Sequence, residues 1–153
     1  MEFRGITKIT VDAKSRFAVP KHHRDHFAGH GITEIVLTAD LSGCLLVYPK
    51  PVWLEIEAQI NALPNSHPDT RRMQRLYVGH ATLMDLDASG RVLLSPELRE
   101  YAEIERRVVL IGQGRKLELW AEHAWAAENE RWKRQARQGS ALPPPDALQD
   151  ITF

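Results

Sequence analysis

Cysteine is nearly absent. Cys44 is the only one in 153 residues, which excludes an internal disulfide framework and suits a reducing compartment. Its simplest reading is a small buried hydrophobe. No apolar run approaches the roughly 18 residues needed to span a bilayer, so no membrane partner is expected. The opening MEFRGITKIT is charged and lacks the apolar stretch of a secretory signal, so a cytoplasmic location is expected. No phosphate-cradling glycine motif and no HExxH occur, and no Ser–His–Asp arrangement can be inferred. Neither an enzyme, a cofactor nor a small-molecule substrate is expected. Net charge is zero, which at first argues against a polyanionic partner.

What is present has a direction. Residues 1–24 carry Arg4, Lys8, Lys14, Arg16, Lys21 and Arg24 against Glu2 and Asp12, a net +4, so the remainder sums to −4. A basic quarter on an acidic body can face phosphates, because the distribution of charge matters more than its sum.

The chain also repeats itself. At an offset of 75, Val11-Asp12-Ala13 lies on Leu86-Asp87-Ala88, Arg16 on Arg91, Phe17 on Val92, Val19 on Leu94 and Arg24 on Arg99. At offsets of 73 and 72, Val36-Leu37 meets Val109-Leu110, and Val47-Tyr48 meets Leu119-Trp120. Each copy reads as strand, acid–base turn, strand, short helix, strand, glycine turn, strand, helix. Alternation over 7–11 and 16–19 marks half-buried strands. Ser95-Pro96 reads as a helix cap followed by proline at the first helical position. Trp53, Ile56 and Ile60 share one helix face, and Trp125 and Trp132 form a heptad-spaced pair. Residues 69–77 predict a helix exposing Arg71, Arg72 and Arg75. A unit of about 70 residues has exposed edges and a thin core, so two copies exchanging hairpins to close one small barrel are favoured over two beads.

These features resemble the MraZ family of bacterial transcription regulators, whose members carry two SpoVT/AbrB-type swapped-hairpin units. The opening Phe3-Arg4-Gly5, both Asp-x-x-x-Arg motifs and the repeat carry the likeness, which spans residues 3 to about 132. It implies an α+β fold in which two tandem β-α-β repeats form one compact swapped-hairpin β-barrel with flanking helices. The expected division is a DNA-facing first repeat at 3–50, a helical connector at 51–76, a second repeat at 77–123, a helix at 124–138 and a flexible proline-rich tail at 139–153. The likeness also implies a homo-oligomeric ring, nucleoid association, and double-stranded DNA as partner. The target implied is a set of short G-rich direct repeats upstream of the protein's own division and cell-wall gene cluster.

Two readings of the acid–base turns stay open: Asp12 and Asp87 brace their turns, or they orient Arg16 and Arg91 toward DNA, where a guanidinium fork suits guanine or phosphate. Residues 80–100 carry Arg91 and Arg99 against Asp85, Asp87, Glu97 and Glu100, a net −2, so the first copy is the expected reader and Arg91 at most a supporting contact. Arg4, Lys8 and Lys14 are candidate phosphate contacts. His22, His26 and His30 sit at helical spacing, but glycines follow closely, so a solvated, weakly basic face is expected rather than a metal site. The rival reading is a protein-interaction module, a ring scaffold or AbrB-like antitoxin, holding its partner through Trp53, Trp125 and Trp132.

Overall fold

The computed structural model describes residues 1–139 and 150–152, so most of the proline-rich tail lies outside the described residues. The chain divides into two compact units, Met1–Glu122 and His123–Phe153. In the first unit the elements run β1 (Ile6–Thr10), β2 (Arg16–Ala18), α1 (Lys21–Gly29), β3 (Glu34–Ala39), β4 (Leu45–Pro49), α2 (Lys50–Asn61) and α3 (Pro68–Tyr77). They continue as β5 (Thr82–Asp85), β6 (Arg91–Leu93), α4 (Pro96–Tyr101), β7 (Arg107–Gln113) and β8 (Lys116–Ala121). The second unit contains most of α5 (Glu122–Arg137).

Six strands form an antiparallel sheet in the order β1-β7-β8-β4-β3-β5, and β2 pairs with β6 in a separate ribbon. Every strand has a ladder partner from the other copy. Ile6 pairs with Ile111 and Glu34 with Asp85, so the first strand of each copy lies on the third strand of the other. Leu45 pairs with Leu119, joining the two fourth strands. The expected barrel is not closed, because β1 and β5 form the two edges of the sheet and do not pair with each other. A three-residue β2 and β6 are long enough for one ribbon and too short to bridge those edges as well.

The core is built from equivalent positions of the two copies: Phe17 with Val92, Val19 with Leu94, and Leu37 with Leu110 are all at most 2% exposed. The cap read at Ser95 is present, its Oγ accepting the Leu98 N–H at 3.3 Å. Trp53 is 2% exposed and belongs to this core. Arg71 is half-buried and donates to the carbonyls of Asn65 and Ser66, whereas Arg72 and Arg75 are exposed.

Of the three histidines expected on a solvated face, His22 and His30 are exposed and His26 is half-buried, while His23 beside them is buried. Phe3 is buried against α1, with its ring centroid 5.7, 5.0 and 5.0 Å from those of His23, His26 and Phe27. His26 Nε2 accepts the Glu2 N–H at 3.0 Å, which requires a neutral ring, and burial pushes its pKa down. His23 is 2% exposed, and desolvation, followed by the neighbouring His22 and His26, lowers its pKa to about 4. The reason is steric: the aromatic Phe3 must be covered, and the helix face it reaches carries His23, His26 and Phe27.

A histidine whose pKa falls on folding stabilises the native state fully above its unfolded value of about 6.5 and loses that contribution as pH falls toward about 4. Urea denaturation at pH 7 and pH 4.5 should show a drop of roughly 2–3 kcal/mol attributable to His23. In His23→Leu that share of the drop should vanish.

Candidate nucleic-acid interface

The ribbon sets the geometry of the site. Its register pairs Arg16 with Leu93, Phe17 with Val92 and Ala18 with Arg91. Side chains alternate across a strand, so Phe17 and Val92 point into the core while Arg16, Ala18, Arg91 and Leu93 share the outer face. The two arginines lie on one diagonal of this face, two residues apart along the ladder, or roughly 7 Å. Sequence reasoning assigned them to separate roles, and the ladder places them side by side.

The first turn is held by Asp12. One carboxylate oxygen accepts the N–H groups of Lys14 and Arg16, each at 2.9 Å, and the other lies 3.4 Å from Arg16 Nε. The Arg16 N–H bond is the main reason its carboxyl titrates below the usual range. The Nε contact is an ion pair without hydrogen-bond alignment, so Arg16 keeps its terminal nitrogens uncommitted among the described residues. In the second turn Asp87 accepts from Ser89 Oγ at 2.7 Å and from the Arg91 N–H at 3.3 Å. Ser89 is the chief cause of its lowered pKa. Among the described residues the Arg91 guanidinium has no ion pair, so the two turns share a backbone but not a side-chain clamp.

Two further arginines, matched in the repeat but given no role there, fix these turns reciprocally. Arg99 of the second copy donates to Ser15 Oγ in the first turn at 3.0 Å, while its other arms hold the carbonyls of Ile104 and Glu105. Arg24 of the first copy donates to the Ala88 carbonyl in the second turn at 2.7 Å. Main-chain bonds complete the exchange: Leu94 donates to the Ser15 carbonyl and Val19 to that of Gly90, both at 2.8 Å. Gly90 is required twice over. Its φ is +69°, and an added Cβ would lie 2.3 Å from Arg24 Cδ. Its counterpart Ser15 adopts φ +63° with a side chain, and its hydroxyl also donates to the Leu94 carbonyl at 3.1 Å. The missed signal was the matched spacing of Arg24 and Arg99 themselves.

The remaining candidates are spread out. Lys14 is exposed beside Arg16. Lys8 is exposed in the middle of the β1 edge, near Arg107 in a shallow cleft. Arg4 lies beyond the far end of β1, eight residues or roughly 25 Å of extended chain from Asp12, and pairs with Glu2 at 3.7 Å. A cleft of about 600 Å³ beside the first turn is lined by Asp12, Ala13, Arg99, Glu105 and Arg106, the last two absent from the sequence reading.

The family model described as "MraZ protein, putative antitoxin-like" matches twice, over residues 3–76 and 77–141. The chain belongs to the MraZ family. Among its curated relatives, the Transcriptional regulator MraZ of Thioalkalivibrio sulfidiphilus is 46% identical over 151 residues, covering 99% of each chain. That of Halorhodospira halophila is 46% identical over 143 residues, 93% of this chain and 94% of its own. The Coxiella burnetii protein of the same name is 44% identical over 144 residues, 93% of this chain and 95% of its own. The two model matches meet between Leu76 and Tyr77 of α3, so the repeat boundary of the MraZ family falls inside a helix here.

Ser15 gives a direct check on how the first turn is held. Ser15→Ala keeps the left-handed backbone and removes both hydroxyl bonds, leaving Arg99 short of an acceptor, and should cost about 1–3 kcal/mol in urea unfolding. Ser15→Gly removes the same bonds but relieves the backbone, and should be less destabilising than alanine by about 1 kcal/mol.

Proposed function

We propose that this chain is a non-enzymatic, sequence-specific DNA-binding transcriptional regulator of the cytoplasm and nucleoid, and that the outer face of the β2–β6 ribbon is its reading surface. The observation that carries this is the placement of Arg16 and Arg91 on one exposed ribbon face, with the terminal nitrogens of both uncommitted among the described residues. A two-stranded ribbon fits the B-DNA major groove, which is about 12 Å wide, and a guanidinium can bind guanine O6 and N7 together. The naming of the relatives as transcriptional regulators supports the same reading.

In this reading Arg16 and Arg91 meet guanines, and Lys14, with Lys8 and Arg4 farther out, meets phosphates that position the protein without specifying sequence. Arg16 dominates, because Lys14 stands beside it whereas Asp85 and Asp87 flank Arg91. Asp12 and Asp87 act as turn braces. The target is a set of short G-rich direct repeats upstream of the protein's own division and cell-wall gene cluster. The protein meets them as a homo-oligomeric ring. Several weak tips on one ring combine through effective concentration, which is how a protomer of zero net charge can hold a specific site. Repeats spaced about 10 bp apart present the same groove to successive tips.

A second reading, an antitoxin-like module holding a protein partner, is favoured by one feature. A cavity of about 440 Å³ between α2 and α3 is lined by Tyr48, Ile56, Ile60, Met73 and Tyr77. Trp53 forms part of its wall but is itself buried, which leaves Trp125 and Trp132 of α5 as the candidate aromatic anchors.

Fluorescence anisotropy on a duplex from immediately upstream of the gene, beside a scrambled duplex, separates the readings. Arg16→Ala should weaken specific binding by about 1–3 kcal/mol per base contact, and Arg91→Ala by less. Lys14→Ala should weaken both duplexes alike and lower the salt slope by about 1. Equal binding to both duplexes, unchanged by Arg16→Ala, would overturn the DNA reading. Partner capture lost in Trp132→Ala would then favour the module.

A further inference from the structure

Leu93 is 56% exposed, a large apolar side chain standing directly opposite Arg16 and two residues along from Arg91. Its repeat counterpart is Ala18, opposite Arg91, so the outer face carries arginines on one diagonal and an alanine–leucine pair on the other. A pseudo-two-fold ribbon could lie on a duplex in two orientations. The arginines occupy matched positions on this face, and the leucine in place of alanine adds an apolar difference between the two orientations.

The cations bear on what Leu93 meets. A surface that covered it would also cover Arg16 and Arg91, and Asp12 and Asp87 are already bonded within their turns, so that surface must itself supply acceptors for both guanidinium groups. The major groove supplies both kinds of contact on one surface: acceptors on guanine for the arginines, and the thymine 5-methyl group for an apolar side chain. The spacing agrees. Arg91 and Leu93 are roughly 7 Å apart along the strand, about two base steps at 3.4 Å each.

We propose that Leu93 is a specificity-determining residue that contacts a thymine 5-methyl group in the major groove, beside the base pair met by Arg16. This rests on the DNA-binding reading above and adds a base that the arginines do not read. It also adds an apolar mark of orientation to the charge difference between the two turns.

The test begins with a randomised duplex pool selected by the wild-type protein. Each thymine of the selected duplex is then replaced in turn by deoxyuridine, which removes only the methyl group. At one thymine position per repeat, wild type should lose about threefold to tenfold in affinity, in keeping with one buried methyl per contact. Leu93→Ala should bind the thymine and deoxyuridine duplexes equally, with its mass by light scattering unchanged. The inference is overturned if no deoxyuridine costs wild type affinity, or if the cost is the same in Leu93→Ala. It is equally overturned if Leu93→Ala changes the assembly mass, since Leu93 would then be covered by another copy. A pool that wild type fails to enrich would sink the DNA-binding reading itself, an outcome distinct from a selected duplex that is indifferent to its methyl groups.

Discussion

The three-rung ladder between β2 and β6 is the constraint from which the rest of the structure follows. Its inner face must be apolar, because Phe17 and Val92 close the core there. Its outer face is then free of packing duties and can carry charge. Because its two strands come from different copies, each acid–base turn ends up beside the helix of the other. Arg24 and Arg99 therefore support turns that are distant in sequence. Removing the pairing would unsettle the core, the turns and the arginine face together.

On that scaffold the copies have diverged within narrow limits. Positions that bury side chains kept their apolar character, as Val19 and Leu94 did. The left-handed position kept its backbone but is a serine in one turn and a glycine in the other, because Arg99 approaches Ser15 with a donor while Arg24 lies flat against Gly90. Charge changed most: Lys14 corresponds to Ser89, and Asp85 has an uncharged counterpart in Thr10. A surface lysine is exchanged at little cost to stability, whereas a Cβ at Gly90 would displace an arginine.

What was legible in the sequence was local. Alternation, the Ser95 cap, the glycine turns and the matched Asp-x-x-x-Arg spacing all depend on residues a few places apart, and the strands and helices follow them closely. The repeat added the family and the candidate arginines. The pairing of strands was not legible, since nothing near Ile6 names Ile111 as its partner. For the same reason the common face of Arg16 and Arg91, and the reach of Arg99 to Ser15, were out of view. The distance of Arg4 from the first turn followed from an extended β1 that the charge count ignored. His22 and His30 are exposed as the periodicity implied, but periodicity could not show the aromatic ring that lies on His26 and on the neighbouring His23. Phe3, twenty residues upstream of His23, decides that His23 is buried.

The pairing of β1 with β7 also sets an order of events during synthesis. Thr10 and its partner Arg107 are separated by about 100 residues, and translation at about 5–20 residues per second would separate their emergence by roughly 5–20 s. Through that interval β1 is a strand without its partner. Its composition suits the wait: Thr7, Lys8 and Thr10 make three of its five residues polar, and a lysine at mid-strand discourages pairing with a stranger. Lys8, a candidate phosphate contact, thus also has a use before the sheet is complete.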